Sequence, residues 1–567
     1  MVNRWDYKEQ PPADQIERLS NEINVNSILS ALLLQRGISN FDEAKTYFRP
    51  ILEQLHDPFL MKDMDLAVER INEAIRYKQR ILVYGDYDVD GTTAVATFFD
   101  FLKKYHKNID FYIPDRYAEG YGVSIDGIDY ASQTQVDLIV SLDCGIKAID
   151  KVAYARKKGI DFIICDHHRP GQQLPNAIAI LDPKRKNCHY PFKELSGCGI
   201  GFKLLQALCI KNNYDIRTLY HYLDLVAVSI ASDIVPITDE NRILAHYGLI
   251  KLNRKPSTGL QALIKVVGLE GKLNISSIVF SIGPRINAAG RIDHARASVE
   301  LLISENQKEA DAYASKINHH NSRRRDFDNN TTREAFSMIE ENETYKNTKS
   351  TVLYKKDWHK GVIGIVASRC IEKYYKPTII LTESNNKITG SARSVSGFDV
   401  YEAIAACADL LDQFGGHRYA AGLTLKEDNF FAFQRKFEEV VASTITEEQM
   451  VPNLEIDQKI SFDCINQKFF NILRQMSPFG PKNNTPVFVS ENIYATERPK
   501  IMKEKHIKFI AGQEGAAAKI EIIGFGFAEY FELIDSGMRF KIAYTIEEND
   551  YIGIKSLQLY LKDLKFD

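Results

Sequence analysis

The run 81–91, ILVYGDYDVDG, holds three aspartates at alternate positions, Asp86, Asp88 and Asp90. Three carboxylates so close together repel one another, and a divalent cation turns that repulsion into coordination. The apolar residues before them are typical of a strand, and the small residues after Gly91 are typical of a helix start. We therefore expect the carboxylates at the carboxyl end of a strand, where α/β sheets hold their ligands.

Three further apolar runs end on residues that can bind a metal ion. Run 136–143 ends on Asp143, run 161–168 ends on Asp166 followed by His167 and His168, and the helix-like run 225–233 ends on Asp233. The first two are short and rich in β-branched residues, which predicts buried parallel strands. Carboxylates and imidazoles without a thiolate pair favour Mn²⁺ or Mg²⁺ over zinc.

Each of these residues also has a simpler interpretation. An aspartate after a strand often only caps the next helix, and Asp-His-His can form a turn with a satisfied histidine. The joint occurrence of four such segments, in order and at element ends, favours a metal centre.

Strand-like and helix-like runs alternate along much of the chain, which predicts the α/β class with a parallel sheet. The β-branched runs after residue 453 indicate a small β-barrel. The predicted divisions are an N-terminal helical arm at 1–50, an α/β domain at 51–235, a helical subdomain at 236–304, a connecting helix at 305–348, a second α/β domain at 349–450 and a β-rich domain at 451–567.

Length and composition exclude several classes of protein. A chain of 567 residues, 44% hydrophobic and 26% charged, is typical of a multidomain globular protein. No apolar run approaches the ~20 residues of a membrane span, and the N-terminus lacks the apolar core of a signal peptide. The eight cysteines form no Cys-x-x-Cys pair, which favours buried thiols in a reducing cytoplasm. We expect a cytoplasmic protein without membrane contact.

The net charge of −3 argues against a globally basic nucleic-acid binder. Local basic patches nevertheless occur at 184–186, at 323–325, and at Lys500, Lys503 and Lys505. Such a patch is more often only a solvated face, although nucleic-acid binding depends on local charge and not on the total.

The motifs together resemble a known family. Segments 86–91 (DYDVDG), 141–145 (SLDCG) and 166–168 (DHH) are similar to the first three motifs of the DHH phosphoesterases, and 231–233 (ASD) to the fourth. Three later segments resemble the companion substrate-binding domain called DHHA1: 361–369, 390–394 and 415–417. Segments 286–291 and 478–480, with the β-rich tail, narrow the resemblance to the RecJ single-strand-specific 5′→3′ exonucleases. It extends from about residue 45 to the end of the chain.

This resemblance implies a fold and an activity. The fold would be two α/β lobes, a DHH parallel-sheet domain and a DHHA1 domain, joined by a long helix and followed by an OB-type β-barrel that binds single strands. The activity would be hydrolysis of single-stranded DNA from its 5′ end with two divalent cations, Mn²⁺ or Mg²⁺, releasing 5′-mononucleotides in DNA repair and recombination.

The family motifs also imply ligand roles. Asp90, Asp143, His167 and Asp233 would form one metal site. Asp88 would form the other, with Asp143 as the bridging carboxylate and Asp86 as a further ligand. His168 would donate a hydrogen bond to the substrate phosphate. One departure from the family is Tyr84, which stands where many DHH relatives carry a metal-binding histidine.

Further residues match family positions that contact substrate. Arg116, Ser391 and Arg393 would hold a 5′-phosphate, because one guanidinium group can donate two hydrogen bonds to the oxygens of a phosphate. Arg291 would clamp the backbone near the scissile phosphate. Tyr121 would stack on a base, although a tyrosine in a glycine-rich loop can be purely structural. We expect His417 to face the cleft from the second lobe.

The expected partners are single-stranded DNA, a single-strand-binding protein and a helicase, and the expected state is a monomer. One alternative is a DHH-type phosphodiesterase acting on short oligonucleotides or cyclic dinucleotides. A second is a scaffold that binds nucleic acid without cleaving it. The helical subdomain and the β-rich tail favour a long strand as substrate, and the complete set of metal ligands favours an enzyme.

Overall fold

The first α/β domain is built around a parallel five-stranded sheet. The computed structural model describes residues 3–384, 386–551 and 554–566. In chain order the strands of this sheet are Ile81–Gly85, Ile109–Tyr112, Leu138–Leu142, Asp161–Cys165 and Ala179–Leu181. Their spatial order is second, first, third, fourth, fifth, with all pairs parallel. The chain changes direction across the sheet beside the first strand, and open α/β sheets bind ligands at such switch points.

Helices cover both faces of this sheet and bury two separate apolar cores. They are Met64–Arg76, Val89–Lys103, Ile125–Gln133, Ile149–Lys157, Gly197–Asn212 and Leu223–Ser232. Because side chains alternate along a strand, Ile81 and Val83 enter one core while Leu82 and Tyr84 enter the other. The sheet is therefore dry on both sides, which explains the uninterrupted apolar runs in the sequence.

A helical subdomain and one long helix follow. The subdomain contains Asp239–Arg254, Thr258–Val267, Ile275–Ser277, Gly283–Ile292 and Arg296–Ile303, with a π-helical turn at Ile278–Ile282. It shares its apolar core with the first α/β domain, and the two form one lobe, the first lobe. The connecting helix Gln307–Glu341 has 35 residues, a length of about 50 Å. The short helix Glu343–Asn347 leads into the second lobe.

The second α/β domain, the second lobe, has a mixed five-stranded sheet. Its strands in spatial order are Gln413–His417, Ala420–Leu425, Lys387–Arg393, Thr378–Ser384 and Thr351–Tyr354. Only the last two pair in parallel. The helices Ile363–Tyr374, Val400–Ala405 and Phe430–Thr444 pack on it.

The C-terminal domain is a β-barrel. Strand Phe488–Ala495 pairs with Phe540–Tyr551 on one side and with His506–Gln513 on the other, which closes the sheet. Its other strands and main helices are Gln458–Lys459, Lys500–Met502, Lys519–Gly524, Ile554–Phe566, Gln467–Gln475 and Phe531–Asp535. The predicted class, two α/β lobes joined by a long helix and followed by an OB-type barrel, is confirmed.

The N-terminal residues belong with this barrel. Helices at Ala13–Ile23, Ser27–Leu34 and Phe41–Phe48 put their apolar residues into the barrel's core. The predicted helical arm also contains a strand, Arg4–Tyr7, which pairs in parallel with Asn453–Ile456. Its four residues show no apolar alternation, so the sequence did not indicate it. A truncation near residue 450 would therefore expose the apolar faces of the N-terminal helices.

The cysteines agree with the sequence-based expectation of buried thiols. All eight cysteines are free, and every one except the half-buried Cys464 is buried. Within the described ranges, no helix is both long and apolar enough to cross a bilayer.

A buried arginine joins the helical subdomain to the C-terminal domain. The Arg242 guanidinium donates to the backbone carbonyls of Tyr47, Met476 and Ser477 at 3.0–3.1 Å. It also lies 3.8 Å from the centre of the Tyr47 ring. Burial, the largest effect, lowers the pKa of Arg242, although the group stays charged. This contact ties residues from three parts of the chain into one unit.

Replacing Arg242 with alanine should destabilise this junction, because three buried carbonyls lose their donor. Hydrogen bonds to charged groups contribute about 1.5–3 kcal/mol each, so we expect a loss of about 3 kcal/mol or more in the free energy of unfolding. Chemical denaturation followed by circular dichroism measures it. The control is Arg254→Ala, an exposed arginine on the same helix. Equal stability of the two variants would contradict the proposed junction.

Candidate metal centre and substrate cleft

The aspartates of the first motif occupy the turn between the first strand and the helix Val89–Lys103. Asp86 directly follows the strand, and its Oδ1 accepts the N–H of Tyr87 at 2.8 Å. Asp88 caps the helix, since its Oδ1 accepts the N–H of Gly91 at 3.0 Å. The helix-cap interpretation is thus right for one oxygen of Asp88. The residue nevertheless also lies within a cluster of potential metal ligands.

The predicted metal ligands converge on one point at the carboxyl edge of the sheet. They form three overlapping groups whose ligand atoms lie within 4.8 Å of one another: Asp86 with Asp88 and Asp143, Asp90 with His167 and Asp233, and Asp143 with His167 and His168. The Nε2 of His167 lies 3.1 Å from Asp143, 3.5 Å from Asp233 and 3.7 Å from Asp90. Asp143 belongs to two of the groups, as a bridging ligand must.

Backbone donors hold Asp90 in place. Its two oxygens accept the N–H groups of Gly197 and Cys198, at 2.6 and 2.8 Å, from the start of the helix Gly197–Asn212. Ser229 donates its hydroxyl to the same carboxylate at 2.6 Å. A Cβ at Gly197 would lie 2.5 Å from the Cβ of Asp143, so this close approach requires glycine. The backbone donors to Asp90 were not predicted, because a Ser-Gly helix start is common and does not indicate which side chain it contacts.

The electrostatics of the cluster favour a bound cation. Burial, and then repulsion from neighbouring aspartates, raises the pKa of Asp86, Asp143 and Asp233 well above the ordinary value. Burial lowers the pKa of His167, which leaves its imidazole neutral and able to bind a metal. Asp86 Oδ2, Asp143 Oδ1 and both ring nitrogens of His167 are buried without a hydrogen-bond partner. Buried polar atoms are normally satisfied, and a divalent cation with oxygen and imidazole ligands would satisfy these.

His168 is arranged to carry a proton. Its Nδ1 lies 2.8 Å from Asp166 Oδ1, and that oxygen also accepts the N–H of His168. Burial alone would lower the pKa of His168, but the hydrogen bond to Asp166 and the charges of Asp233 and Asp88 raise it to about 9. Burial likewise opposes ionisation of Asp166, but its hydrogen bonds lower its pKa to about 2. Asp166 was not predicted as a site residue, although it belongs to the motif.

Arginines line the cleft beside this centre. The Arg116 guanidinium lies 4.9 Å from the centre of the Tyr87 ring. Burial, and then the charges of Arg116, Arg324 and Arg393, lowers the pKa of Arg291 to about 9. In the basic patch 323–325, Arg324 is half-buried with its Nε unpartnered, whereas its two neighbours are exposed. A concentration of guanidinium groups that repel one another suits a polyanionic ligand.

The second lobe completes the cleft. Arg393 donates to the hydroxyl of Ser391 at 3.0 Å, and both lie on the central strand of that sheet. A Cβ at Gly364 would lie 2.8 Å from an Arg393 nitrogen, so glycine lets the start of the helix Ile363–Tyr374 approach the pair. Across the lobes, Arg291 donates to the carbonyl of Gly361 at 2.8 Å.

One predicted substrate residue borders the metal centre, and another lies on the second lobe. Tyr121 is 58% exposed, and its hydroxyl lies 3.0 Å from His168 Nε2. His417, exposed on an edge strand of the second lobe, has its pKa lowered by burial and by the charges of Lys147 and His168. It therefore lies within electrostatic reach of the first lobe.

Replacing Asp143 with asparagine should deplete bound metal and reduce cleavage at least about a hundredfold, because the bridging charge is lost. Metal content after dialysis against Mn²⁺ and the rate of oligonucleotide cleavage measure both effects. Asp150→Asn, an exposed substitution in the helix Ile149–Lys157, is the control. Unchanged metal content in the Asp143 variant would show that this carboxylate is not a ligand.

Comparison with known proteins agrees with this geometry. Three family profiles match the chain: "DHH family, N-terminal domain" at residues 80–230, "DHHA1 domain" at 347–443 and "RecJ OB domain" at 456–563. They cover the first α/β domain, the second lobe and the barrel.

Full-length relatives and a solved structure extend the agreement. The single-stranded-DNA-specific exonuclease RecJ of Bacillus subtilis is 36% identical, over 99% of this chain and 70% of its own length. The protein of that name from Escherichia coli is 31% identical, over 95% of each chain. The crystal structure of RecJ in complex with Mn²⁺ from Thermus thermophilus superposes with a TM-score of 0.85 and 26% identity, covering 100% of this chain and 80% of that one. The chain belongs to the RecJ family.

Proposed function

We propose that this chain is a metal-dependent exonuclease that degrades single-stranded DNA from its 5′ end and releases 5′-mononucleotides. The observation that carries the proposal is the convergence of Arg116, Arg291 and Arg393 beside a carboxylate–imidazole cluster that can hold metal ions. The B. subtilis and E. coli relatives are named for this specificity, and the T. thermophilus relative was crystallised with Mn²⁺.

Two groups of residues would hold two divalent cations, Mn²⁺ or Mg²⁺. Asp90, Asp143, His167 and Asp233 would form one site, and Asp88, Asp143 and Asp86 the other. Bound cations of this kind activate water for attack on phosphorus and neutralise charge on the phosphate. The protein contributes fixed ligands, since Asp90 is held by backbone N–H groups and Asp88 by its helix cap.

His168 would donate a hydrogen bond to the substrate phosphate. Asp166 keeps its imidazole protonated at neutral pH and fixes its orientation. Its Nε2, which lies against the Tyr121 hydroxyl, would turn to a non-bridging phosphate oxygen as substrate enters. Such a donor stabilises charge that grows during the reaction.

The 5′ polarity would come from a pocket that stops the end of the strand. Arg116, Ser391 and Arg393 would bind the terminal phosphate, and Arg291 the backbone beside it. The first phosphodiester would then lie at the metal centre, with the 3′-oxygen of the terminal nucleotide as leaving group. Tyr121 and His417 border the same space from opposite lobes.

The barrel would bind the strand beyond the cleft. Lys500, Lys503 and Lys505 are exposed around its strand Lys500–Met502. Phe488 and Phe509 are buried in the barrel core. The aromatic exposed beside the lysine surface is Phe525, whose ring lies 5.3 Å from that of His506.

The cellular context is part of the proposal. A monomer in the cytoplasm, working with a helicase that exposes single strands and with a single-strand-binding protein, would serve DNA repair and recombination. The free, buried cysteines support the cytoplasmic location, because they suit a reducing compartment.

Strands with a 5′-phosphate should be degraded faster than 5′-hydroxyl strands, and Arg393→Ala should remove that preference while metal binding is retained. Loss of charge-assisted hydrogen bonds predicts a drop of about tenfold to a hundredfold in kcat/KM for the phosphorylated strand. Rates on strands labelled at either end measure polarity and preference together. Arg435→Ala, on the surface of the same lobe, is the control. Degradation from the 3′ end would contradict the proposed polarity, and degradation of dinucleotides alone would favour the small-substrate phosphodiesterase.

Replacing Lys500, Lys503 and Lys505 together with alanine should weaken binding of long single strands. Each lost phosphate contact should flatten the dependence of log affinity on log salt by about 0.7. Affinity against salt, measured in the Asp143→Asn background, tests this. The matched control removes three other exposed lysines of the domain, Lys468, Lys519 and Lys562. Equal slopes for the two triple variants would exclude this surface as the strand-binding face.

A further inference from the structure

The loop after the second strand carries three contacts with the cleft. This loop, residues 115–122, places Arg116 over Tyr87 and Tyr121 against His168. Between them, the Tyr117 hydroxyl donates to the backbone carbonyl of Arg291. One short segment therefore presents residues to the terminal-phosphate pocket, to the backbone clamp and to the metal centre.

Glu119 holds the two ends of this loop together. Its Oε1 accepts the N–H of Asp115 at 2.7 Å. Its Oε2 accepts the hydroxyls of Tyr112, at 2.9 Å, and of Ser124. Ser124 in turn caps the helix Ile125–Gln133, accepting the N–H of Gly127 at 2.9 Å. The strand before the loop and the helix after it thus share one carboxylate.

Tyr84 supports this network from below. Its side chain is fully buried, and its hydroxyl lies 3.1 Å from the carbonyl of Gly122 and accepts the N–H of Ser124 at 3.1 Å. Its ring stacks on that of Tyr112, with centres 5.4 Å apart. A Cβ at Gly127 would lie 2.6 Å from the Tyr84 ring, so glycine makes room for the tyrosine. The hydroxyl therefore fixes the loop's C-terminal end at Gly122, directly after Tyr121.

We propose that Tyr84 is a positioning residue that fixes loop 115–122 in the arrangement that receives the 5′ end of the substrate. The inference rests on the proposed function. Tyr84 supports a substrate loop, whereas the proposed metal ligands are the aspartates and His167.

The proposal predicts a specific kinetic change in Tyr84→Phe. Without the hydroxyl, the Gly122 carbonyl and the Ser124 N–H lose a buried partner, so the loop spends less time in the receptive arrangement. The apparent affinity for the strand falls in proportion to the fraction of molecules whose loop is in the receptive arrangement. A saturating concentration of the strand restores that arrangement. KM for 5′-phosphorylated strands should rise about tenfold and the preference over 5′-hydroxyl strands should shrink. The kcat and the Mn²⁺ content should stay within twofold of wild type.

Tyr544→Phe is the matched control. Tyr544 is also fully buried, and its hydroxyl lies 2.8 Å from that of Ser490 in the barrel. The substitution removes a comparable hydrogen bond at a position far from the loop in sequence. This variant should keep the wild-type KM and end preference. A rise in KM equal to that of Tyr84→Phe would attribute the effect to general destabilisation and overturn the proposal.

Hydrogen exchange provides a readout that does not depend on activity. In Tyr84→Phe, the backbone amides of the loop, including that of Asp115, and the amide of Ser124 just after it should exchange faster. Those of the barrel should stay unchanged. If Tyr84→Phe does not fold, Glu119→Gln tests the same anchor by weakening the acceptor of Ser124 and Tyr112. Unchanged loop exchange in the folded variant would overturn the proposal. If the loop amides of Tyr84→Phe exchange faster but the wild-type protein shows no preference for 5′-phosphorylated strands, the proposed function is contradicted instead.

Discussion

Repulsion among buried carboxylates is the constraint on which the rest of this structure depends. Asp86, Asp90 and Asp143 are buried and Asp88 and Asp233 half-buried where they approach one another at the edge of the sheet, so water screens their charges only weakly. A bound cation would stabilise their charges; the fold supplies backbone donors to Asp86, Asp88 and Asp90 and leaves several other atoms of the cluster unpartnered. The neutral His167 and the protonated His168 fit the same arrangement, as a metal ligand and as a phosphate donor.

The surrounding domains follow from the need to bring a polyanion to this point. Arginines from the first lobe, the connecting helix and the second lobe meet in one cleft, and Gly361 lets the lobes approach closely. The barrel lies beyond the cleft in the chain, with its core completed by the N-terminal helices. Arg242 ties that unit to the helical subdomain, so the cleft and the barrel are mechanically connected.

The sequence predicted the fold class and the clustering of the candidate metal ligands, because both leave local signals. Apolar strands that end on aspartates predict where the carboxylates lie, and the order of the motifs predicts which of them meet. The strand Arg4–Tyr7 was missed because it pairs with residues 453–456, a contact with no local pattern. The roles of Asp166, Arg324 and Tyr84 depend on side-chain direction, which spacing alone does not specify.

The most direct test of this account is the anomalous scattering of Mn²⁺ in crystals of the wild-type protein. The account predicts two peaks at the carboxyl edge of the first sheet, one beside Asp90, His167 and Asp233 and one beside Asp86 and Asp88, with Asp143 between them. A single peak would confine the chemistry to one cation and remove the bridging role of Asp143. Peaks absent from this cluster, or present only elsewhere, would contradict the claim that a metal holds these carboxylates together.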